Sequence, residues 1–283
     1  MRRIALLACS VLACTAVLAG AASAEERDGP PHPVAPLAQA HAHNDYEHPR
    51  PLHDALSHGF TSVEADVWLV DGALLVAHDL EDVEPGRTLQ SLYLDPLAHR
   101  VRENRGSVHP ERVPFQLLID LKSDGPATYE AVERALAAYP GLTTTVEQDG
   151  RGGQQVRRGP IEAVISGNRP LELMRDRPVR RSGYDGRLTD LGSGLPASLM
   201  PLVSDNWTNH FTWTGEGEIP AQERATLQRI VRSAHAEGYR VRFWATPDTP
   251  GPARDRLWRE LLRAGVDHIN TDDLAGLERF LRR

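Results

Sequence analysis

The sequence predicts an α/β fold, a single (β/α)8 barrel of the TIM type, regular or distorted, with a β-hairpin after its second strand. Strand-like and helix-like patterns alternate from Leu37 onward, which is typical of a parallel sheet with helices outside it. Three predicted helices end at Gly59, Gly238 or Gly265, directly before a strand; glycine commonly ends helices because it accepts the left-handed conformation. The folded part, about 245 residues, matches the usual barrel size of roughly 250 residues.

The individual elements follow from hydrophobic periodicity. Strands are predicted at Leu37–Ala42, Phe60–Leu69, Phe115–Leu121, weakly near Thr143, and at Ile161–Ser166, Met200–Val203, Val241–Ala245 and Val266–Thr271. Amphipathic helices are predicted at Leu52–His58, Tyr129–Tyr139, Gln222–Glu237 and Asp255–Ala264. The pattern is weakest from Glu147 to Leu195, where Gly and Arg interrupt every period. Within it, Arg151–Arg187 holds nine Arg and four acidic residues, and a solvated loop is favoured there over a phosphate-binding surface.

Residues 1–24 have the pattern of a secretory signal peptide: two arginines, an apolar run from Ile4 to Leu18, and small residues before the expected cleavage point. The Pro-rich, polar residues 25–36 are predicted to form a disordered lead-in, and residues 37–283 to form the barrel domain. The protein is therefore expected to be secreted.

Composition narrows the chemistry and the partners. Both cysteines, Cys9 and Cys14, lie in the predicted signal peptide, so disulfides and thiolate ligands are excluded from the exported chain. Lipoprotein anchoring at Cys14 is disfavoured because processing there would cut the apolar run short. Loss of residues 1–24 removes two arginines and changes the formal charge from −7 to −9, which disfavours nucleic acid and anionic bilayers as partners. No later segment is apolar enough for a stable membrane span, and oligomeric state is unpredicted.

Polar residue pairs end four of the predicted strands. Residues i and i+2 of a strand share a face, and active sites of barrels lie at the carboxyl ends of the strands. The pairs are His41 and His43, Glu64 and Asp66, Asp120 and Lys122, and Asn270 and Asp272. One such pair is an ordinary solvated strand end, but four together predict a catalytic site. Lys122 is also the only lysine in the chain.

The segment VWLVDGALLVA after the second strand-end pair predicts a β-hairpin with an Asp-Gly turn. Pairing across that turn places His78 opposite Ala65. The hairpin therefore returns a histidine beside Glu64 and Asp66.

These residue types together indicate phosphodiester cleavage. Glu64, Asp66 and Asp120 offer hard oxygen ligands, which suit Ca²⁺ or Mg²⁺ better than zinc. Lys122 would add positive charge to the transition state, and two imidazoles that titrate near neutrality can act as base and acid. The bound cation would contact a phosphate oxygen.

Several motifs together resemble the phosphatidylinositol-specific phospholipase C and glycerophosphodiester phosphodiesterase superfamily. They are AHNDY at 42–46, VEADVW at 63–68, DG at 71–72, HD at 78–79, IDLK at 119–122, FWAT at 243–246 and GVDHINTD at 265–272. The resemblance implies a TIM-barrel phosphodiester hydrolase that uses a divalent cation, with His43 and His78 as the acid and base. It places the metal ligands at Asn44, Glu64, Asp66 and Asp120. The residues expected to bind the substrate, a small-molecule or lipid phosphodiester, are Lys122, Trp244 and Asn270.

The motifs are mixed between branches of that superfamily. Asp120-Leu121-Lys122 is closer to the sphingomyelinase D branch, whereas His43-Asn44 is closer to the phospholipase C form. The substrate, glycerophosphodiester or phospholipid, therefore stays open. So does the attacking group, which is either a neighbouring hydroxyl that forms a cyclic phosphate or water. His41 is a rival for His43 as the first catalytic histidine.

Two other functions compete with this interpretation. His41 and His43 at i and i+2 could open a binuclear zinc site of the amidohydrolase or phosphoesterase type. An exported barrel could also bind a phosphorylated ligand without cleaving it. Three aromatic residues near the sixth strand, Trp207, Phe211 and Trp213, are compatible with a substrate pocket, a lipid contact or loop packing.

Overall fold

Eight parallel strands close into a barrel in the computed structural model, which describes residues Val34–Arg283. The strands of the described chain are β1 (Leu37–Ala42), β2 (Phe60–Val70), β3 (Ala73–Val76), β4 (Phe115–Leu121), β5 (Thr145–Gln148), β6 (Gln154–Arg157), β7 (Ile161–Gly167), β8 (Val179–Arg180), β9 (Ser182–Gly186), β10 (Leu202–Asn206), β11 (Arg240–Trp244) and β12 (His268–Thr271). The barrel runs β1-β2-β4-β7-β9-β10-β11-β12, and β12 pairs with β1 to close it. The predicted (β/α)8 fold is confirmed.

Helices connect most of the barrel strands. They are α1 (His53–Ser57), α2 (Asp95–Glu103), α3 (Gly125–Ala137), α4 (Leu171–Asp176), α5 (Ala221–Ala236), α6 (Pro252–Ala264) and α7 (Leu274–Leu281). The apolar stripe of α5, formed by Leu227, Ile230, Val231 and Ala234, is buried as its period predicts. Gly265 ends α6 at a φ of 86°, the left-handed cap expected of glycine at this position.

The hairpin after the second strand forms with the predicted register. Strands β2 and β3 are antiparallel, with Val67 opposite Val76 and Val70 opposite Ala73. Asp71 and Gly72 have φ values of 48° and 84°, as the two-residue turn of such a hairpin requires. The chain therefore comes back along β3 towards Asp66 and the carboxyl end of the barrel.

The fifth barrel strand differs from the prediction. The weak strand predicted near Thr143 corresponds to β5, which is not a barrel strand. β5 pairs antiparallel with β6 and β8 in a separate small sheet. The barrel position belongs to β9, whose sequence SGYDG lacks an apolar pattern. Its glycines are required sterically: a Cβ on Gly183 would lie 2.5 Å from Pro201, and one on Gly186 would lie 2.3 Å from Met200.

The arginine-rich segment is folded, so the predicted solvated loop is wrong for most of it. Strands and a short helix occupy much of residues 151–187. Most of its arginines face acidic partners: Arg157 pairs with Glu147, Arg175 with Glu172 and Asp176, Arg177 with Glu130, Arg181 with Glu133, and Arg187 with Asp185. The segment is therefore largely charge-compensated.

Residues 1–33 lie outside the described residues. They contain the predicted signal peptide, both cysteines and the first nine residues of the predicted lead-in 25–36. Within residues 34–283, every helix is too short or too polar to cross a membrane.

Candidate active site

The predicted strand ends meet around a cavity of about 200 Å³ at the carboxyl end of the barrel. The side chains that line it are His43, Asn44, Glu64, His78, Asp120, Lys122, Ser166, Arg187, Ser204, Arg242 and Trp244. Seven of the nine residues predicted from the sequence are among them. Asp66 is completely buried beside this cavity, and Asn270 is the exception described below.

Three carboxylates form a possible cation site. Glu64, Asp66 and Asp120 each offer an oxygen, and these oxygens lie within 4.8 Å of one another. The parallel register of β2 and β4 sets Asp66 directly beside Asp120. Asp66 Oδ1 is buried and has no hydrogen-bond partner among the described residues. A buried, unpartnered carboxylate oxygen is costly unless a cation binds it, so the donor set fits a divalent metal ion.

The pKa values of these carboxyl groups are shifted in two directions. Burial and the nearby charge of Glu64 raise the pKa of Asp66 to about 6, and the same two causes raise the pKa of Asp120. Burial would also raise the pKa of Glu64, but the charge of Arg242 and the His41 hydrogen bond lower it below its usual range. The raised pKa values of Asp66 and Asp120 show that repulsion within the trio is not fully compensated, and a bound cation would relieve it.

Lys122 lies between two of the carboxylates. Its Nζ is 3.0 Å from Asp66 Oδ2 and 3.3 Å from Asp120 Oδ1. Burial would lower the pKa of Lys122, but the charges of Asp66 and Asp120 raise it. The ammonium group is therefore charged and held at the wall of the cavity.

The two predicted catalytic histidines both line the cavity and each has a carboxylate partner. His43 Nδ1 is 2.8 Å from Asp272 Oδ1, and His78 Nδ1 is 3.1 Å from Asp66 Oδ2. Burial would lower the pKa of His43, but the Asp272 hydrogen bond and the charge of Glu64 raise it above its ordinary value. The hairpin delivers His78 beside Asp66 as the sequence predicts.

His41, the rival first histidine, lies one layer deeper inside the barrel. It is fully buried, with Nδ1 2.7 Å from Ser62 Oγ and Nε2 3.3 Å from Glu64 Oε2. Burial and the charge of Arg242 lower the pKa of His41 to about 4, so its ring is neutral. Neither nitrogen is free, which disfavours the binuclear zinc site and leaves His43 as the histidine at the cavity.

Asn44 and Trp244 line the cavity, whereas Asn270 does not. Asn44 adopts a left-handed φ of 45°, and its Oδ1 lies 3.0 Å from the Tyr46 hydroxyl. Asn270 is buried and accepts a hydrogen bond of 2.9 Å from Arg242 Nε. The prediction that Asn270 binds substrate is therefore wrong. The residue lies too deep in β12 and contacts Arg242 inside the barrel.

Several site residues were missed by sequence reasoning. The Tyr46 hydroxyl lies 2.6 Å from Asp66 Oδ2; its place in the AHNDY motif was the available signal. Arg242 precedes Trp244 by two residues on β11 and so faces the same side. Arg187 follows the unpredicted strand β9, and its NH1 donates to Asp185 Oδ2 at 2.9 Å and to Ser204 Oγ at 3.3 Å. No local pattern marks Arg187 as a cavity residue.

The aromatic residues near the sixth barrel strand form part of the core. The rings of Trp207 and Phe211 stack at 4.0 Å, and both meet Phe243 edge-on. All three are buried, and Trp213 is also buried. Among the interpretations left open, loop packing is the one that fits.

Comparison with known families and proteins identifies the domain. The family model described as AIM6-like phosphodiesterase domain matches residues 32–185, and that of the glycerophosphoryl diester phosphodiesterase family matches residues 240–275. A crystal structure of a glycerophosphoryl diester phosphodiesterase from Parabacteroides distasonis has a TM-score of 0.51 and 14% identity, with 89% of this chain and 87% of that chain covered. At this identity the likeness shows the fold alone.

Curated relatives cover most of the chain. Altered inheritance of mitochondria protein 6 of Eremothecium gossypii is 32% identical over an alignment of 272 residues, which covers 86% of this chain and 69% of that protein. Its homolog in Arthroderma benhamiae is 28% identical over 258 residues, covering 83% and 81% of the two chains. The prediction of a secreted protein is wrong by this comparison, because these relatives are named for the inheritance of mitochondria and not for export. The predicted superfamily is confirmed, and the chain belongs to the family of the AIM6-like phosphodiesterase domain, built on a (β/α)8 barrel of the glycerophosphodiester phosphodiesterase type.

Proposed function

We propose that the protein is a metal-dependent phosphodiester hydrolase that acts on glycerophosphodiester or phospholipid-type substrates. The observation that carries this proposal is the trio Glu64, Asp66 and Asp120, with the unpartnered Asp66 Oδ1, between two histidines that line one cavity. The chemistry that a divalent cation supplies in such a site is neutralisation of a non-bridging phosphate oxygen.

One cation, Ca²⁺ or Mg²⁺, fits the ligand set. The carboxylates of the trio and the Asn44 amide oxygen are the hard ligands that these ions prefer. The formal charges of the three carboxylates, Lys122 and Arg242 add up to −1, so one divalent cation leaves the site at +1. That charge complements a phosphodiester, which is a monoanion, better than a phosphomonoester.

His43 is proposed as the general base. Its Nδ1–H donates to Asp272, which fixes the ring tautomer and stabilises the imidazolium that forms when Nε2 takes a proton. The proton comes from a substrate hydroxyl next to the phosphoester or from water. The two sources give a cyclic phosphate or direct hydrolysis, respectively.

His78 is proposed as the general acid that protonates the leaving oxygen. Its Nδ1 is held by Asp66 Oδ2, and its side chain is 53% exposed, so the ring is accessible to substrate. Lys122 Nζ, anchored by Asp66 and Asp120, donates to a phosphate oxygen as negative charge develops. Trp244, at the end of β11, and Arg187, directly after β9, lie elsewhere on the cavity wall and contact the alcohol part of the substrate.

The test is hydrolysis of bis(p-nitrophenyl) phosphate and of a panel of glycerophosphodiesters and phospholipids by the full chain. Activity is expected to disappear with EDTA, to return with Ca²⁺ or Mg²⁺, and to be lost in His43→Ala and in His78→Ala. A His58→Ala variant is the matched control, because His58 also pairs with a carboxylate, that of Glu278, yet does not line the cavity. Turnover that survives EDTA and both cavity substitutions would reject the proposal.

A further inference from the structure

A chain of polar side chains runs through the barrel beneath the carboxylate trio. It runs from Gln116 through Ser62 and His41 to Glu64, and all four residues are buried. Barrel interiors are ordinarily filled by branched apolar residues in layers. This chain is therefore an unusual use of core space, and it ends at one of the proposed metal ligands.

The hydrogen bonds of this chain run in one direction, towards Glu64, because an ionised carboxylate can only accept. Gln116 Nε2 can only donate, and it lies 2.9 Å from Ser62 Oγ. The Ser62 hydroxyl hydrogen is then available to His41 Nδ1, 2.7 Å away. An imidazole ring that accepts at Nδ1 carries its hydrogen on Nε2, and His41 Nε2 therefore donates to Glu64 Oε2 at 3.3 Å. The chain therefore terminates as a donor to one particular oxygen of Glu64.

Arg242, on β11, contacts the same oxygen of Glu64. Its NH2 donates to Glu64 Oε2 at 2.9 Å, while its Nε donates to Asn270 Oδ1 at 2.9 Å. The guanidinium is thus fixed at two points and only 3% exposed. Glu64 Oε1, in contrast, has no hydrogen bond among the described residues, although Glu64 lines the cavity. Both donors hold Oε2 and leave Oε1 free.

We propose that His41 and Arg242 are positioning residues that hold Oε2 of Glu64 and thereby present Oε1 to the divalent cation. This inference rests on the proposed function, since it concerns the ligand of that same site. It gives a role to His41, which does not touch the cavity. It also explains why an arginine is buried inside the barrel: Arg242, fixed at Asn270, limits the rotation of Glu64, as the outer partners of metal ligands do elsewhere.

The experiment measures binding of Mn²⁺ alone to the EDTA-treated full chain, by the loss of the free-ion electron paramagnetic resonance signal. Loss of an outer-shell partner typically weakens metal binding about 10- to 100-fold, so this rise in Kd is expected for His41→Met and for Arg242→Met. His41→Gln should restore most of the affinity, because a glutamine side chain retains one acceptor and one donor. His58→Met is the matched control for removal of a carboxylate-bound histidine, and it should bind Mn²⁺ as the wild type does.

A merely structural role would lower the unfolding temperature without changing the Kd of the folded protein, so thermal unfolding is recorded for every variant. If His41→Met does not fold, Ser62→Ala tests the same chain one step further away and should weaken Mn²⁺ binding several-fold. The positioning role would be overturned by the following result: Glu64→Gln binds Mn²⁺ more weakly, but Arg242→Met and whichever of His41→Met and Ser62→Ala folds both bind it with the wild-type Kd. A wild-type Kd in Glu64→Gln itself would instead overturn the proposed metal site.

Discussion

Removal of the Asp272 charge tests whether His43 is the general base. The two side chains meet at 2.8 Å, between His43 Nδ1 and Asp272 Oδ1. Burial opposes protonation of His43, yet the Asp272 hydrogen bond and the charge of Glu64 raise its pKa above the ordinary value. In Asp272→Asn the ring nitrogen keeps an oxygen acceptor but loses the partner's charge. The pKa of His43 should therefore fall.

The size of this fall is limited by solvent. The side chains of His43 and Asp272 are 29% and 63% exposed, and exposed ion pairs contribute about 0.2–1 kcal/mol. Since about 1.4 kcal/mol corresponds to a tenfold change in an equilibrium constant, the protonation equilibrium of His43 is expected to shift by at most about fivefold towards the neutral ring. A base acts in its deprotonated form, so the acidic limb of the kcat/KM profile moves to lower pH.

The assay is the pH dependence of kcat/KM for bis(p-nitrophenyl) phosphate with saturating cation. Glu278→Gln is the matched control, because Glu278 Oε2 holds His58 Nδ1 at 2.6 Å and neither residue lines the cavity. Its profile should coincide with that of the wild type. An acidic limb that stays in place or moves to higher pH in Asp272→Asn would refute the assignment of His43 as base.

Three further changes test the site. In the EDTA-treated chain the pKa of Asp66 is raised to about 6 from 3.8, so its proton binds the folded state more tightly. Asp66 should therefore contribute a fall of up to about 3 kcal/mol in the free energy of unfolding as pH rises from its unfolded to its folded pKa. In urea titrations Asp66→Asn should show a smaller fall than the wild type, and the remaining fall belongs to other buried carboxyl groups with raised pKa values, such as Asp120. In urea titrations Gly167→Ala should lower the free energy of unfolding by about 1–3 kcal/mol, because its φ is +67°. It should also bind Mn²⁺ more weakly, because a Cβ would lie 2.4 Å from Asp120 Oδ1. Gly192→Ala is the control for backbone strain, since its φ is +80° and no atom lies within 4 Å of the added Cβ. Arg187→Met should raise KM for glycerophosphodiesters about tenfold, as expected for loss of a hydrogen bond from a charged group, with little change in kcat; an unchanged KM would remove Arg187 from the binding wall.

The barrel and the core of its site were predictable because their signals are local. The alternation of strands and helices, the glycines that end helices, and the Asp-Gly hairpin each depend on residues close together in the chain. Side-chain alternation places Glu64 with Asp66 and Asp120 with Lys122 on one face of their strands. Barrel topology then brings all strand ends together, so the carboxylate trio and His78 followed without knowledge of long-range contacts.

Other features depend on contacts between distant parts of the chain. Asp272 pairs with His43 across 229 positions, and Arg242 pairs with Glu64 across 178 positions; no local period encodes such pairs. Strand β9 escaped prediction because its glycines satisfy steric limits set by Met200 and Pro201 rather than an apolar pattern.

The two histidines of strand β1 show which properties the sequence determines and which depend on the tertiary structure. His41 and His43 share a face, and the sequence treats them as equivalent rivals. Depth along the barrel axis separates them: His41 is enclosed by neighbouring strands and bonded to Ser62 and Glu64, whereas His43 emerges at the cavity. Chemical identity and strand face thus come from the sequence. Depth and partners come from closure of the barrel, because only closure brings all eight strands around the same residues.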